Sequence, residues 1–148
     1  MSRVDPRLAG NNLPMANCLI VDDSRVIRTV ARRLFEELHY ATAEAEDGIS
    51  ALRACREKMP DLMLLDWSMP GMTGVEFVRA LRAQPGGGRP VILVSLTEVD
   101  VNEIAQEVAA GINDYLMKPF DRETLSAKLA ELEAHRSDSR PLSAVAGL

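Results

Sequence analysis

The sequence has little cysteine and little histidine, two of each in 148 residues. Cys18 and Cys55 are too few for a disulfide framework, and neither has a Cys or His at metal-ligand spacing. Both read as reduced, partly buried thiols. His39 and His135 stand isolated and carry no assigned role. No apolar run approaches the ~18 residues of a membrane span. The opening residues MSRVDPRLAGNNLP hold no apolar stretch of the kind a signal peptide needs. There is no basic surplus: 17 Lys and Arg against 22 Asp and Glu leave a net charge of −5. That excludes a general footprint for nucleic acid, though not a local basic patch. The expected compartment is the cytoplasm.

What is present is a globular composition, with 47% hydrophobic and 26% charged residues. The length fits one domain with one sizeable core. Residues 1–15 mix Gly, Asn and Pro without periodicity, and residues 135–148 lose their pattern after the last helical run. Both are expected to be flexible tails around a domain of residues 16–134. No internal repeat is found.

Within the domain, short apolar runs alternate with helical patterns. The runs are Cys18–Val21, a weak one over 40–46, Leu62–Leu65, Val91–Val94 and Tyr115–Met117. The first helical stretch places Val26, Ile27, Val30, Ala31, Leu34 and Leu38 on one face. Asp47-Gly48 opens a second, carrying Ala51, Leu52 and Cys55 as far as Pro60. Gly74 leads into a third, with Val75, Phe77, Val78 and Leu81. Residues 98–109 read as a fourth, capped by Gly111, and Asp121 N-caps a fifth with Leu125, Leu129 and Leu132. Short, fully apolar strands separated by helices predict an α/β fold, a doubly wound parallel sheet covered on both faces. The chain is too short for an eight-fold barrel. In such sheets the working crevice lies at the carboxyl ends of the strands.

Those ends carry the informative residues. The first strand stops at Asp22-Asp23, the third at Asp66, the fourth at Ser95 and the fifth at Lys118, followed by Pro119. Singly, Asp23 and Ser24 could cap a helix and Asp66 could start a turn. Together, three carboxylates at one sheet edge repel one another, which raises carboxyl pKa values or demands a cation. A hard divalent ion such as Mg²⁺ suits them, taking one or two carboxylates, phosphate oxygens and waters. The backbone carbonyl of Ser68 is a further candidate ligand. Lys118 adds a fixed positive charge and Ser95 a hydroxyl. A carboxylate nucleophile beside a metal, an ammonium group and a hydroxyl makes a site for an aspartyl phosphate, with Asp66 as acceptor.

These elements resemble the receiver domain of bacterial two-component response regulators. The matching segments are Ile20-Val21-Asp22-Asp23-Ser24, Leu64 to Gly74, Pro90 to Ser95 and Gly111 to Phe120, in order over about residues 16–134. The resemblance implies a flavodoxin-like sheet of five strands in the order 2-1-3-4-5. It implies that Asp66 is the phosphoacceptor, that Asp22, Asp23 and the Ser68 carbonyl bind Mg²⁺ with it, and that Lys118 contacts the phosphoryl oxygens. Ser95 matches the switch hydroxyl and Tyr115 the aromatic switch residue that turns inward with it. The Lys118–Pro119 bond matches a position often cis in the family.

The function implied is a stand-alone receiver: a phosphorylation switch rather than an enzyme, assisting only its own phosphorylation and dephosphorylation. A histidine kinase or histidine phosphotransfer protein would supply the phosphoryl group. Output would pass to a protein target through the surface of the fourth helix, last strand and last helix, from a monomer or weak dimer, without nucleic acid or membrane. The alternative is a metal-dependent phosphatase with Asp66 as nucleophile. Such enzymes resemble Asp-x-Asp, whereas this chain has Asp66-Trp67-Ser68, and they need more chain for an acid–base helper.

Some signals stand apart. Leu96 follows Ser95 where the family usually has Ala or Gly, and is expected to narrow access to the phosphoryl group or restrain the loop, slowing its loss. The segment from Ser95 to Lys118 is about one residue longer than in many relatives. Arg25, Arg28 and Arg32, with Arg33 beside them, read as a solvated face or as a docking surface for an acidic partner. Gly86-Gly87-Gly88 precedes a strand, the wrong context for a phosphate cradle, and reads as a flexible turn. Trp67 is expected to border the site.

Overall fold

The computed structural model describes residues 16–104 and 111–137. The predicted tail 1–15, most of 135–148 and the second half of the fourth helical stretch lie outside the described residues. Within them the chain runs β1 (Asn17–Val21), α1 (Arg25–Glu37), β2 (Ala41–Ala45), α2 (Gly48–Glu57), β3 (Leu62–Asp66), α3 (Gly74–Ala83), β4 (Val91–Leu96), α4 (Glu98–Ile104), β5 (Asp114–Met117) and α5 (Arg122–Ser137). The last helix thus continues past the expected domain end at 134.

All strand pairs are parallel, in the order β2-β1-β3-β4-β5. The three central strands β1, β3 and β4 are largely apolar because each feeds two cores. Successive side chains point to opposite faces. Leu19, Val21, Met63, Leu65, Ile92 and Val94 pack with Ala51 and Cys55 of α2 and Phe77, Val78 and Leu81 of α3. Cys18, Ile20, Leu62, Leu64, Leu93 and Leu116 pack with Ala31 and Phe35 of α1 and Leu125, Leu129 and Leu132 of α5. Outer strand β2 is half-exposed, which is why its run is weak.

Local chemistry fixes the helix starts. The Ser24 hydroxyl accepts the Ile27 amide, Asp47 and Ser50 form a capping box, and so do Thr73 and Glu76. Asp121 accepts the Thr124 amide at 2.8 Å before α5, as predicted. Gly111 has φ +112°, a conformation open to glycine; the residues it is predicted to cap lie outside the described ones. The Lys118–Pro119 bond is cis.

Three expectations need correction. On α1 the inward stripe is Ala31, Leu34 and Phe35, continued by Leu38, while Val26 and Val30 are 72% and 50% exposed. They lie one position ahead of the stripe, a 100° step around the helix. Leu96 does not lie over the site: it continues the alternation Ile92, Val94, Leu96 and is fully buried on the α2/α3 side. Its bulk therefore fills that core at the last residue of β4 and does not narrow the approach to the site. Trp67 likewise continues Met63 and Leu65 and is buried on that side. A Cβ at Gly74 would overlap its indole, so glycine is what admits the ring there. The Gly86–Gly88 turn joins α3 to β4 at the edge of the sheet away from the strand ends. There the Gly87 amide donates to the Gln84 carbonyl at 2.8 Å.

Candidate functional site

The strand alternation that builds the α1/α5 core also builds the site. One step beyond Cys18 and Ile20 stands Asp22, beyond Leu62 and Leu64 stands Asp66, beyond Leu93 stands Ser95, and beyond Leu116 stands Lys118. The pairing aligns Asp66 with Ser95 and Ser95 with Leu116. At the carboxyl edge the apolar layer thus ends in a polar crown.

The crown is buried and charged. Asp22 and Asp66 are 3% and 4% exposed, Ser95 is buried, and Asp23 is exposed. One carboxylate oxygen from each of Asp22, Asp23 and Asp66 lies within 4.8 Å of the others. The Lys118 ammonium donates to Asp66 Oδ1 at 2.9 Å and lies 3.4 Å from Asp22 Oδ2. The Ser68 amide also donates to Asp66 Oδ1, at 3.2 Å, so both bonds fall on one oxygen. The Ser24 amide donates to Asp22 Oδ1 at 2.8 Å.

Burial pushes the Asp66 carboxyl above its ordinary range, and the charge of Asp22 adds to this while Lys118 opposes it. Burial alone would lower the Lys118 ammonium, but the bond to Asp66 and the charges of Asp66 and Asp22 outweigh it and hold it above its ordinary value. One lysine faces three acids. The set is all oxygen, carries excess negative charge and converges from two strand ends, which fits Mg²⁺. Asp22, Asp23 and Asp66 would hold it.

The arginines of α1 divide. The Arg28 guanidinium is turned inward, donating to the Asp22 carbonyl at 2.8 Å and pairing with Glu44 of β2 at 3.0 Å. Arg32 pairs with Glu44 and Glu36. Arg28 therefore braces the β1–α1 turn behind Asp22, and neither the solvated nor the docking reading describes it. Helical spacing could not show this, because its partners are a backbone carbonyl and a residue of another strand.

Tyr115 is 49% exposed on β5, and the Lys128 ammonium of α5 lies 5.9 Å from its ring centroid. Lys128 also pairs with Asp114 at 3.0 Å. Asp100 was not singled out by the sequence. Its carboxylate is buried and accepts the Ser68 hydroxyl at 2.7 Å, the Thr97 hydroxyl at 2.9 Å and the Thr97 amide at 3.0 Å. An Asp in a first helical turn is common, and its partner Ser68 is far away in sequence, so no local signal marks it.

Residues 18–130 match the response regulator receiver domain. The chemotaxis protein CheY of Pseudomonas aeruginosa is 36% identical over 115 residues, 77% of this chain and 93% of that protein. The solved chemotaxis response regulator CheY4 of Vibrio cholerae superposes with a TM-score of 0.74 at 36% identity, covering 80% of this chain and 98% of that one. The receiver domain of the sensor histidine kinase PA1611 of Pseudomonas aeruginosa, solved with a magnesium ion coordinated in its active-site cleft, gives 0.72 at 31% identity, covering 80% and 97%.

Proposed function

The chain belongs to the response regulator receiver domain family, and we propose that Asp66 is its phosphoacceptor. Its function is that of a response regulator in two-component signalling, a signalling domain with the five-stranded 2-1-3-4-5 receiver fold. The similarities described above are to receivers, and none favours the phosphatase alternative. On this reading the receiver runs from residue 16 to the end of α5 at Ser137, past the expected 134, and works in the cytoplasm; among the described residues no helix is long and apolar enough to cross a membrane.

The observation that carries the assignment is the bond from Lys118 to a buried Asp66 inside a triad of carboxylates. An Asp66 oxygen attacks the phosphorus of a phosphohistidine. The new O–P bond forms as the P–N bond breaks, and the leaving imidazole takes up a proton. Lys118 already sits on Asp66 and neutralises charge on the incoming phosphoryl oxygens. A bound Mg²⁺ would neutralise the rest and offset the repulsion among the acids. The magnesium in the PA1611 receiver supports that ligand choice here. Ser95, aligned with Asp66 on the next strand, is the hydroxyl placed to meet the phosphoryl group, and Tyr115 is the surface residue that follows it. A histidine kinase or phosphotransfer protein is the donor, and the α4–β5–α5 face is the output surface.

Acetyl phosphate with Mg²⁺ is expected to label the wild type and leave Asp66→Asn unlabelled; profiling against histidine kinases then identifies the donor. A wild type that never labels overturns the assignment.

A further inference from the structure

Asp100 is a buried carboxylate that the phosphoryl chemistry does not use. Its Oδ2 collects three hydrogen bonds from two different loops. Two come from Thr97, whose amide and hydroxyl close the first turn of α4. The third comes from the hydroxyl of Ser68, in the loop that leaves β3 just after Asp66. Helix capping accounts for the Thr97 bonds. It does not account for Ser68, 32 residues away in sequence. Ser68 in turn donates its amide to Asp66 Oδ1, the oxygen that also holds Lys118. A continuous line therefore runs from Asp100 through Ser68 to the Asp66 carboxylate.

We propose that Asp100 is a positioning residue for the phosphorylation site: by holding the Ser68 hydroxyl it fixes the backbone of residue 68, and with it the orientation of Asp66 and of the Ser68 carbonyl toward the cation. The inference rests on Asp66 being the phosphoacceptor of a Mg²⁺ site. Groups that orient metal ligands from behind typically carry 10- to 100-fold in metal affinity. The Ser68 hydroxyl is held by one short charge-assisted bond, so removing either partner leaves only the amide bond to Asp66 to hold the residue. The same carboxylate ties this loop to Thr97 in the β4–α4 turn, two residues after Ser95, so the two loops flanking the acceptor share one anchor.

The test is calorimetric titration of the full chain with Mg²⁺ alone, beside the rate of labelling by acetyl phosphate at saturating Mg²⁺. Ser68→Ala removes the bridge and leaves the Thr97 cap intact. Asp100→Asn weakens both, and Ser68→Thr keeps a hydroxyl. Ser68→Ala and Asp100→Asn are each expected to weaken Mg²⁺ binding by about 10-fold or more and to slow labelling. The double variant is expected to match the worse single one, and Ser68→Thr to restore wild-type affinity. Unchanged Mg²⁺ affinity in Ser68→Ala, with Asp100→Asn lowering only the melting temperature, would show a helix cap and overturn the proposal while leaving the Asp66 assignment in place. A wild type that neither binds Mg²⁺ nor labels overturns both.

Discussion

The Lys118 ammonium lies 2.9 Å from Asp66 Oδ1 although β4 runs between β3, which ends in Asp66, and β5, which Lys118 follows. The bond therefore exists only when β3, β4 and β5 are paired in register. The charge that prepares the acceptor is a product of the finished sheet, assembled from residues 52 apart in sequence.

The site is built at the expense of stability. The Asp66 carboxyl is held above its ordinary range by burial first and by Asp22 second, with Lys118 opposing. Its folded-state pKa thus exceeds its unfolded value, so the ionised form is disfavoured by folding and the strain eases as pH falls toward that raised pKa. Asp66→Asn is expected to raise Tm by a few degrees near neutral pH without divalent ions. Saturating Mg²⁺ should stabilise the wild type preferentially and erase the difference. Thermal denaturation with and without Mg²⁺ decides it, and a lower Tm for the variant in metal-free buffer would contradict the burial argument.

Leu96 fills the α2/α3 core at the point where β4 becomes the β4–α4 turn. Leu96→Ala is expected to cost about 2–5 kcal/mol in urea denaturation, as for other fully buried leucines. A loosened turn should also lose the phosphoryl group faster. An unchanged or slower dephosphorylation rate rejects the restraining role.

Gly74 lies against the indole of Trp67, the single tryptophan. Gly74→Ala forces the ring or the start of α3 to shift, at a cost of about 1–3 kcal/mol. The denaturation midpoint should fall and Trp67 emission should shift to the red. Unaltered emission with full stability would mean the ring has room that the packing does not show.

Lys128 gives an alkaline prediction. Burial alone would lower its pKa, but the bond to Asp114, with the nearby Glu131, outweighs this and raises it. A raised folded-state pKa means stability that is fully present below the ordinary lysine value and lost as pH climbs through the folded one. As pH climbs above the ordinary lysine value of about 10.4, the wild type should lose more stability than Lys128→Gln. Parallel curves would show that the Asp114 pair contributes nothing to folding.

The fold was legible because the central strands β1, β3 and β4 are apolar runs and helices α1, α2, α3 and α5 start at side-chain caps, so pattern and punctuation agreed. The site was legible because the acids Asp22, Asp23 and Asp66, with Ser95 and Lys118, all stand where an apolar run stops. Leu96 and Trp67 were misplaced although the period of two, carried one residue past each run, assigns both to the far face. The roles of Arg28 and Asp100 were out of reach, since each depends on partners from other elements. Val26 was misjudged because a valine beside an apolar stripe looks like part of it.

The shared parity of the crown has a consequence for how such a chain can change length. Asp22, Asp66, Ser95 and Lys118 are each an even number of residues beyond a core side chain of the same layer. One inserted residue between core and crown would turn the acid into the α2/α3 layer and send a leucine or valine toward the cation. Loops at the opposite edge, such as the Gly86–Gly88 turn, carry no such constraint. An extra residue is therefore excluded between each core side chain and the crown residue that follows it, while a loop at the opposite edge can lengthen without turning any of the four away from the site.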